Sequence, residues 1–176
     1  MNRRSVQVLG LSLLGLIGAG GCFSPTSVAD GADSDSARCI SPEEAARMAD
    51  QVLELVNLER AAEGLTPVVE SAILTKIAEE YACQMIEDGF FAHHEPGSGD
   101  GPAERATEQD YFFLAIGENL AAGQESPAEV MEVWMESPTH RAIILDPNWL
   151  EVGIAVRSGG TYAVYWVQEF GQPAEE

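Results

Sequence analysis

Apolar residues recur at helical spacing soon after residue 40. Ala45, Met48, Ala49, Val52 and Val56 fall on one side of a 3.6-residue period, and the run reaches Gly64, a residue suited to a helix end. The stretch "SPEE" supplies a start signal. Ser41 can cap, Pro42 suits the first helical position and Glu44 completes a capping box. A second helical period carries Ile73, Leu74, Ile77, Ala78, Tyr81, Met85 and Ile86, and Gly89 stops it. A short helical piece is predicted near Pro102 to Gln109. "SPAEVMEVWMESP" repeats the serine–proline start, and Ser137–Pro138 interrupts that helix and restarts another through "THRAIIL". The period then changes. "LEVGIAVR" and "TYAVYWVQEF" are β-rich and flank "SGG", which reads as a hairpin. Helices followed by a meandering antiparallel sheet predict a layered α+β domain.

The amino-terminal residues do not follow either period. Arg3 and Arg4 precede a glycine-rich apolar run from Val6 to Ala19, too short for a comfortable membrane span and of the form of an export signal. "GAGGC" ends at Cys22 as a lipoprotein signal does, although Ala19 stands where leucine is preferred; "SVA" offers cleavage after Ala29 instead. The predicted organisation is a signal over 1–22, a flexible acidic linker over 23–40 and a folded domain over 41–173. With Cys22 lipidated or discarded, Cys39 and Cys83 remain. In an oxidising compartment they suggest one disulfide, with free thiols as the alternative. The chain-entropy model gives such a crosslink about 4 kcal/mol.

Charge narrows the partners. Nine Lys and Arg face 29 Asp and Glu, a formal net charge of −20. Nucleic acid is excluded as an electrostatic target, and membrane contact is expected only through an N-terminal lipid.

Four segments occur in order, "LVNLERAAEGLTPV", "FFAHHEP", "IGENLAAG" and "VWMESPTHRAIIL", followed by "EVGIAV" and "YWVQEFG". Together they resemble the CAP superfamily of cysteine-rich secretory proteins, antigen 5 and pathogenesis-related proteins, and within it the bacterial exported branch. The resemblance implies a three-layer α-β-α sandwich with a cavity holding two histidines and two glutamates, able to bind a divalent metal, often zinc. The family's histidine three residues before a proline corresponds to His93, not His94. Adjacent side chains in an extended stretch point to opposite faces, which places His93 inward. The second histidine corresponds to His140 and the first glutamate to Glu118. The second glutamate is carried over to Glu136, two residues after Trp134, although Ser137 occupies the spacing seen in several eukaryotic members.

Two neutral imidazoles suit zinc but leave it under-coordinated. A carboxylate could complete the shell, orient an imidazole or take a proton from bound water. The bland alternatives are a helix-start hydrogen bond for His140, a turn-holding role for Glu118 and a solvated position for Glu136. Trp134, Trp149 and Trp166 read as core. His-Glu-x-x-His, Gly-x-Ser-x-Gly and a Pro-Cys-x-x-Cys following "HHE" are all absent. Two functions are therefore expected as alternatives: an exported binding module for a lipid, other apolar ligand or partner protein, or a metal-assisted hydrolase using His93, His140 and Glu118.

Overall fold

The computed structural model describes residues 38–174; the expected export signal, Cys22 and most of the expected linker lie outside the described residues. In chain order the elements are α1 (Ala45–Ala62), β1 (Val69–Glu70), α2 (Ala72–Glu87), α3 (Pro102–Glu108), β2 (Phe113–Ala122), α4 (Pro127–Glu136), α5 (Pro138–Ile144), β3 (Glu151–Gly159) and β4 (Ala163–Pro173). The four strands form one sheet in the order β1-β3-β4-β2.

Alternation along the strands sorts the core into two faces. Val152, Ile154 and Val156 of β3, with Trp166 and Phe170 of β4, pack on Val52 and Val56 of α1, Val130 and Trp134 of α4 and Ile144 of α5. Ala155, Tyr165, Val167 and Leu120 face the other way, onto Ala78, Tyr81, Met85 and Ile86 of α2. Gly153 lets α2 approach that face, since a Cβ there would lie 2.0 Å from the Leu74 carbonyl carbon. The result is helices on both sides of the sheet, as expected. The indole N–H groups of Trp134, Trp149 and Trp166 each donate to a backbone carbonyl, which makes burial of these rings inexpensive.

The C-terminal hairpin forms as predicted, with Gly159 opposite Ala163. Two strands differ from the expectation. β2 pairs antiparallel with β4 along its whole length, through the segment containing "IGENLAA". β1 runs parallel to β3, pairing Val69 with Glu151 and Glu70 with Val152, so the sheet is not purely antiparallel. The two serine–proline starts also diverge. Ser126 caps α4 by accepting from Glu129 N at 3.3 Å. Ser41 makes no such bond; Ile40 is bridged to Ser158, residues 43–44 form a turn, and α1 begins at Ala45 with Glu44 at its cap position. Tying Ile40 to the sheet sets where the chain can first turn into a helix.

Cys39 and Cys83 form a disulfide with Cα atoms 5.1 Å apart. It links the segment bridged to β3 with the flank of α2.

Candidate functional site

The site is built around β2, an edge strand whose alternate residues reach both helical layers. Glu118 and Asn119 are adjacent and point to opposite faces. Their partners on β4 are Glu169 and Gln168, so the sheet register places a pair of carboxylates on the α2 face and a pair of amides on the α5 face. All four residues are buried.

On the α2 face, Glu118 lies between two cationic or proton-bearing groups. Its Oε1 is 2.6 Å from His93 Nδ1, and its Oε2 accepts from Arg105 Nη2. The same guanidinium reaches Glu169 Oε1 at 3.3 Å. Arg105 comes from α3, where Gly101 N donates to Glu104 Oε2 at 2.9 Å and Pro102 occupies the first turn. Its guanidinium carbon sits 3.3 Å from the centroid of the Tyr81 ring, a cation–π contact that holds it flat against α2. Tyr81 donates its hydroxyl to the Ala92 carbonyl, and Arg105 Nη1 donates to the His93 carbonyl at 3.3 Å. The histidine loop is thus tied to the helix and to the carboxylates beneath it. Its neck is closed by Glu95 N donating to Asp100 O at 2.9 Å.

The adjacent histidines part at a bend over residues 92–94 rather than in the extended stretch expected. His93 reaches the buried carboxylate while about half of its side chain stays exposed. His94 lies over Gly101, where an added Cβ would sit 3.0 Å from its ring. His140 starts α5 in the opposite helical layer, and Asn119 Nδ2 donates to its carbonyl at 3.2 Å. Its Nδ1 is buried without a hydrogen-bond partner. His93 is near enough that its positive charge would depress the His140 pKa, a smaller effect than burial.

Electrostatics follow from this packing. Burial raises Glu118 to about 7 against the opposing pull of Arg105. Glu169, fully buried, is raised well above the ordinary carboxylate range by desolvation first and then by the charge of Glu118. Burial lowers His93 and His140, favouring neutral rings able to donate a lone pair.

Glu136, expected as the second cavity carboxylate, is exposed near the end of α4 and makes no hydrogen bond or ion pair among the described residues. The second buried carboxylate is Glu169. The reason is local: α4 turns Trp134 into the core, and a residue two positions later cannot share that face. Glu169 and Arg105 were not singled out by the sequence reading. The signal for Glu169 was present, because "YWVQEFG" puts a carboxylate on the strand face shared with Tyr165 and Val167. Arg105 offered a weaker one, as an internal cation in a chain with few.

Among the described residues, no group of three or more His, Cys, Asp and Glu side chains is arranged to hold a metal ion. His93 and His140 could supply two imidazole donors. Glu118 is directed at His93 Nδ1 and at Arg105, the position of a carboxylate that orients a ligand from behind.

A model of the cysteine-rich secretory protein family, CAP, matches residues 53–170. The uncharacterized protein YkwD of Bacillus subtilis is 34% identical over 120 residues, covering 68% of this chain and 45% of that protein. The uncharacterized membrane protein YlbC of the same species is 26% identical over 106 residues, covering 60% of this chain and 30% of its own length. The chain therefore spans less than half of each of these relatives. Among solved structures, an outer surface protein from Borrelia burgdorferi superposes with a TM-score of 0.69 at 23% identity, over 78% of this chain and 98% of that one. An extracellular protein containing a SCP domain from Bacillus anthracis gives 0.66 at 21% identity, over 76% of this chain and 44% of that one. These two likenesses speak to the fold.

Proposed function

The chain belongs to the CAP family of cysteine-rich secretory proteins, and from that membership we propose that it acts outside the cytoplasm as a binding module. In this reading its two-histidine cleft engages a partner protein through a divalent cation such as zinc. The observation that carries the reading is the engagement of Glu118. One carboxylate oxygen meets His93 Nδ1 and the other accepts from Arg105, so the group serves as a support for the imidazole. With Nδ1 so held, His93 has its Nε2 free for a ligand. A zinc ion held by His93 and His140 would supply open coordination positions that a donor atom from a partner could complete. The unpartnered His140 Nδ1 and the neutral state favoured by burial fit that donor set. A polar partner is favoured over a lipid by a groove that lies beside Arg105 and is rimmed by Glu80, Glu95, Asp100 and Glu108.

The hydrolase alternative has one observation on its side. An imidazole backed by a buried carboxylate is oriented as a general base is, so His93 rather than Glu118 would take the proton. Export with a lipid on Cys22 belongs to the same proposal, and lipid-probe labelling of that cysteine tests it.

Calorimetric zinc titration of the full chain separates these readings. Wild type is expected to bind one equivalent, His93→Ala and His140→Ala to lose it, and Glu118→Gln to bind about tenfold more weakly. Loss of binding in Glu118→Gln as complete as in His93→Ala would make Glu118 a ligand and overturn the supporting role. Peptide hydrolysis by the zinc-loaded chain that disappears in His93→Ala would favour the enzyme. Uptake of fatty acids from a mixed lipid extract would favour an apolar ligand.

A further inference from the structure

At the sheet edge opposite β2, the outer side of β3 is paired, among the described residues, only at its two ends. Near its start, Ser71 N donates to Val152 O at 2.9 Å, continuing the parallel pairing with β1. Near its end, Ile40 and Ser158 exchange two backbone bonds of 2.9 and 2.8 Å. Backbone groups alternate sides along a strand, so Ile154 and Val156 point theirs to the same outer edge as Val152 and Ser158. Arg157 Nη1 occupies the Val156 carbonyl at 2.9 Å. The Ile154 N–H, the Ile154 carbonyl and the Val156 N–H have no hydrogen-bond partner among the described residues. These residues are 5% and 1% exposed, so the open stretch is the floor of a groove rather than a washed surface. Polar backbone in such a place is ordinarily paired.

The groove has a volume of about 160 Å3 and separates α1 from α2. On the α1 side its wall is made of Ala45, Ala46 and Ala49, whose methyl groups leave room for incoming side chains. On the rim stand Asp50, Glu70 and Glu79, of which Glu79 is paired with Arg157 at 2.7 Å. We propose that this edge takes an extended segment of a partner protein as an added strand, one that alternates apolar and basic side chains. The apolar set would lie over the alanines of α1, and the basic set would meet the rim carboxylates, Asp50 on α1 and Glu70 at the end of β1. Backbone pairing supplies the attachment and alternate side chains the selectivity, as in other strand additions. The rim and the net charge of −20 select a basic segment. A second copy of this chain would bring the same carboxylates face to face. Among the described residues, the chain's own N-terminal segment pairs with this edge at Ser158, and Ile40 then leads through Ser41, at the groove's margin, into the turn before α1. The surface lies on the far edge of the sheet from the histidines, so the proposal does not depend on the function argued for that cleft.

The test is a titration of the full 15N-labelled chain with the acetylated, amidated peptide Val-Lys-Val-Lys-Val. Its Val-Glu-Val-Glu-Val counterpart and a backbone N-methylated Val–Lys peptide serve as controls. The Val–Lys peptide is expected to shift the Ile154 and Val156 amides and slow their hydrogen exchange. The glutamate peptide is expected to bind about tenfold more weakly and the N-methylated one to lose those effects. Glu70→Lys and Asp50→Lys, both exposed changes, should each weaken the Val–Lys peptide several-fold without altering the fold. Unmoved Ile154 and Val156 amides, equal binding of the N-methylated peptide, or pairing of two copies through this edge would overturn the proposal.

Discussion

Arg60 and Arg105 both carry their guanidinium groups away from solvent, and the chain uses them in opposite ways. Arg60 is fully buried and donates only to backbone carbonyls: to Thr66 at 3.0 Å, Ile144 at 2.8 Å, Asp146 at 2.9 Å and Trp149 at 3.3 Å. It pins the end of α1 to the loop after α5, and its partners do not titrate. Arg105 instead faces Glu118 and Glu169, lies on the Tyr81 ring and leaves its Nε without a partner. The contrast extends to its neighbours. Among the described residues, the buried side-chain atoms lacking partners include Arg105 Nε, Asn119 Oδ1, His140 Nδ1, Gln168 Nε2 and Glu169 Oε2, all on or around the β2–β4 pair. Arg60 is saturated, whereas most of the spare side-chain hydrogen-bonding capacity among the described residues collects where the histidines are, Gln124 Oε1 beyond the end of β2 being the exception. That concentration, more than any one residue, marks the site.

The comparison breaks most visibly at Arg60. Arg60→Ala strands the four carbonyls it serves and should cost about 4 kcal/mol in urea unfolding, while the folded fraction binds zinc as wild type does. Arg105→Ala should cost less, about 2 kcal/mol, because Glu118 and Glu169 can take up protons once their cation is gone. It should also weaken zinc about tenfold by releasing His93, and Arg105→Lys should recover part of that loss.

A pH series sharpens the difference further. Burial raises Glu118 to about 7 and moves Glu169 the same way, from ordinary values of 4.5. The stability these carboxyls contribute is present below pH 4.5 and lost as pH rises through their folded values. His93 and His140 are lowered from 6.5, so their contribution is present above that pH and lost as pH falls below it. Glu169→Gln removes one of the groups responsible for the alkaline loss. Its Tm should fall less than that of wild type between about pH 5 and pH 8, as read by calorimetry. Arg60→Ala should leave the shape of that profile unchanged. The smallest effect is expected for Glu136→Ala, within about 0.5 kcal/mol of wild type and without change in zinc binding.

Much of this was legible in residue order. Helical periods located α1, α2 and α4, and the change to a period of two located the hairpin; the choice of His93 over His94 came instead from the resemblance, whose histidine motif ends at Pro96. What was not legible depended on partners distant in sequence. β1 is two residues long and exists because Leu150–Val152 offers it a parallel edge. β2 was hidden because its burial alternates only in part, its first half being covered incompletely. "SPEE" and "SPAE" carry the same helix-start chemistry, yet only the second forms its cap, because Ile40 is held by Ser158. Glu169 was missed for a related reason. A carboxylate in an apolar strand acquires meaning only when the register sets it beside Glu118.

The claim beneath the whole account is that Glu118 holds His93 through Nδ1 and leaves Nε2 open. Side-chain 15N NMR of the histidines at about pH 8, where Glu118 is largely ionised, tests it directly. The account predicts that the His93 proton resides on Nδ1, and that Glu118→Gln shifts the ring toward the Nε2–H tautomer common in exposed histidines. A wild-type His93 protonated on Nε2, or a tautomer unchanged by Glu118→Gln, would contradict it.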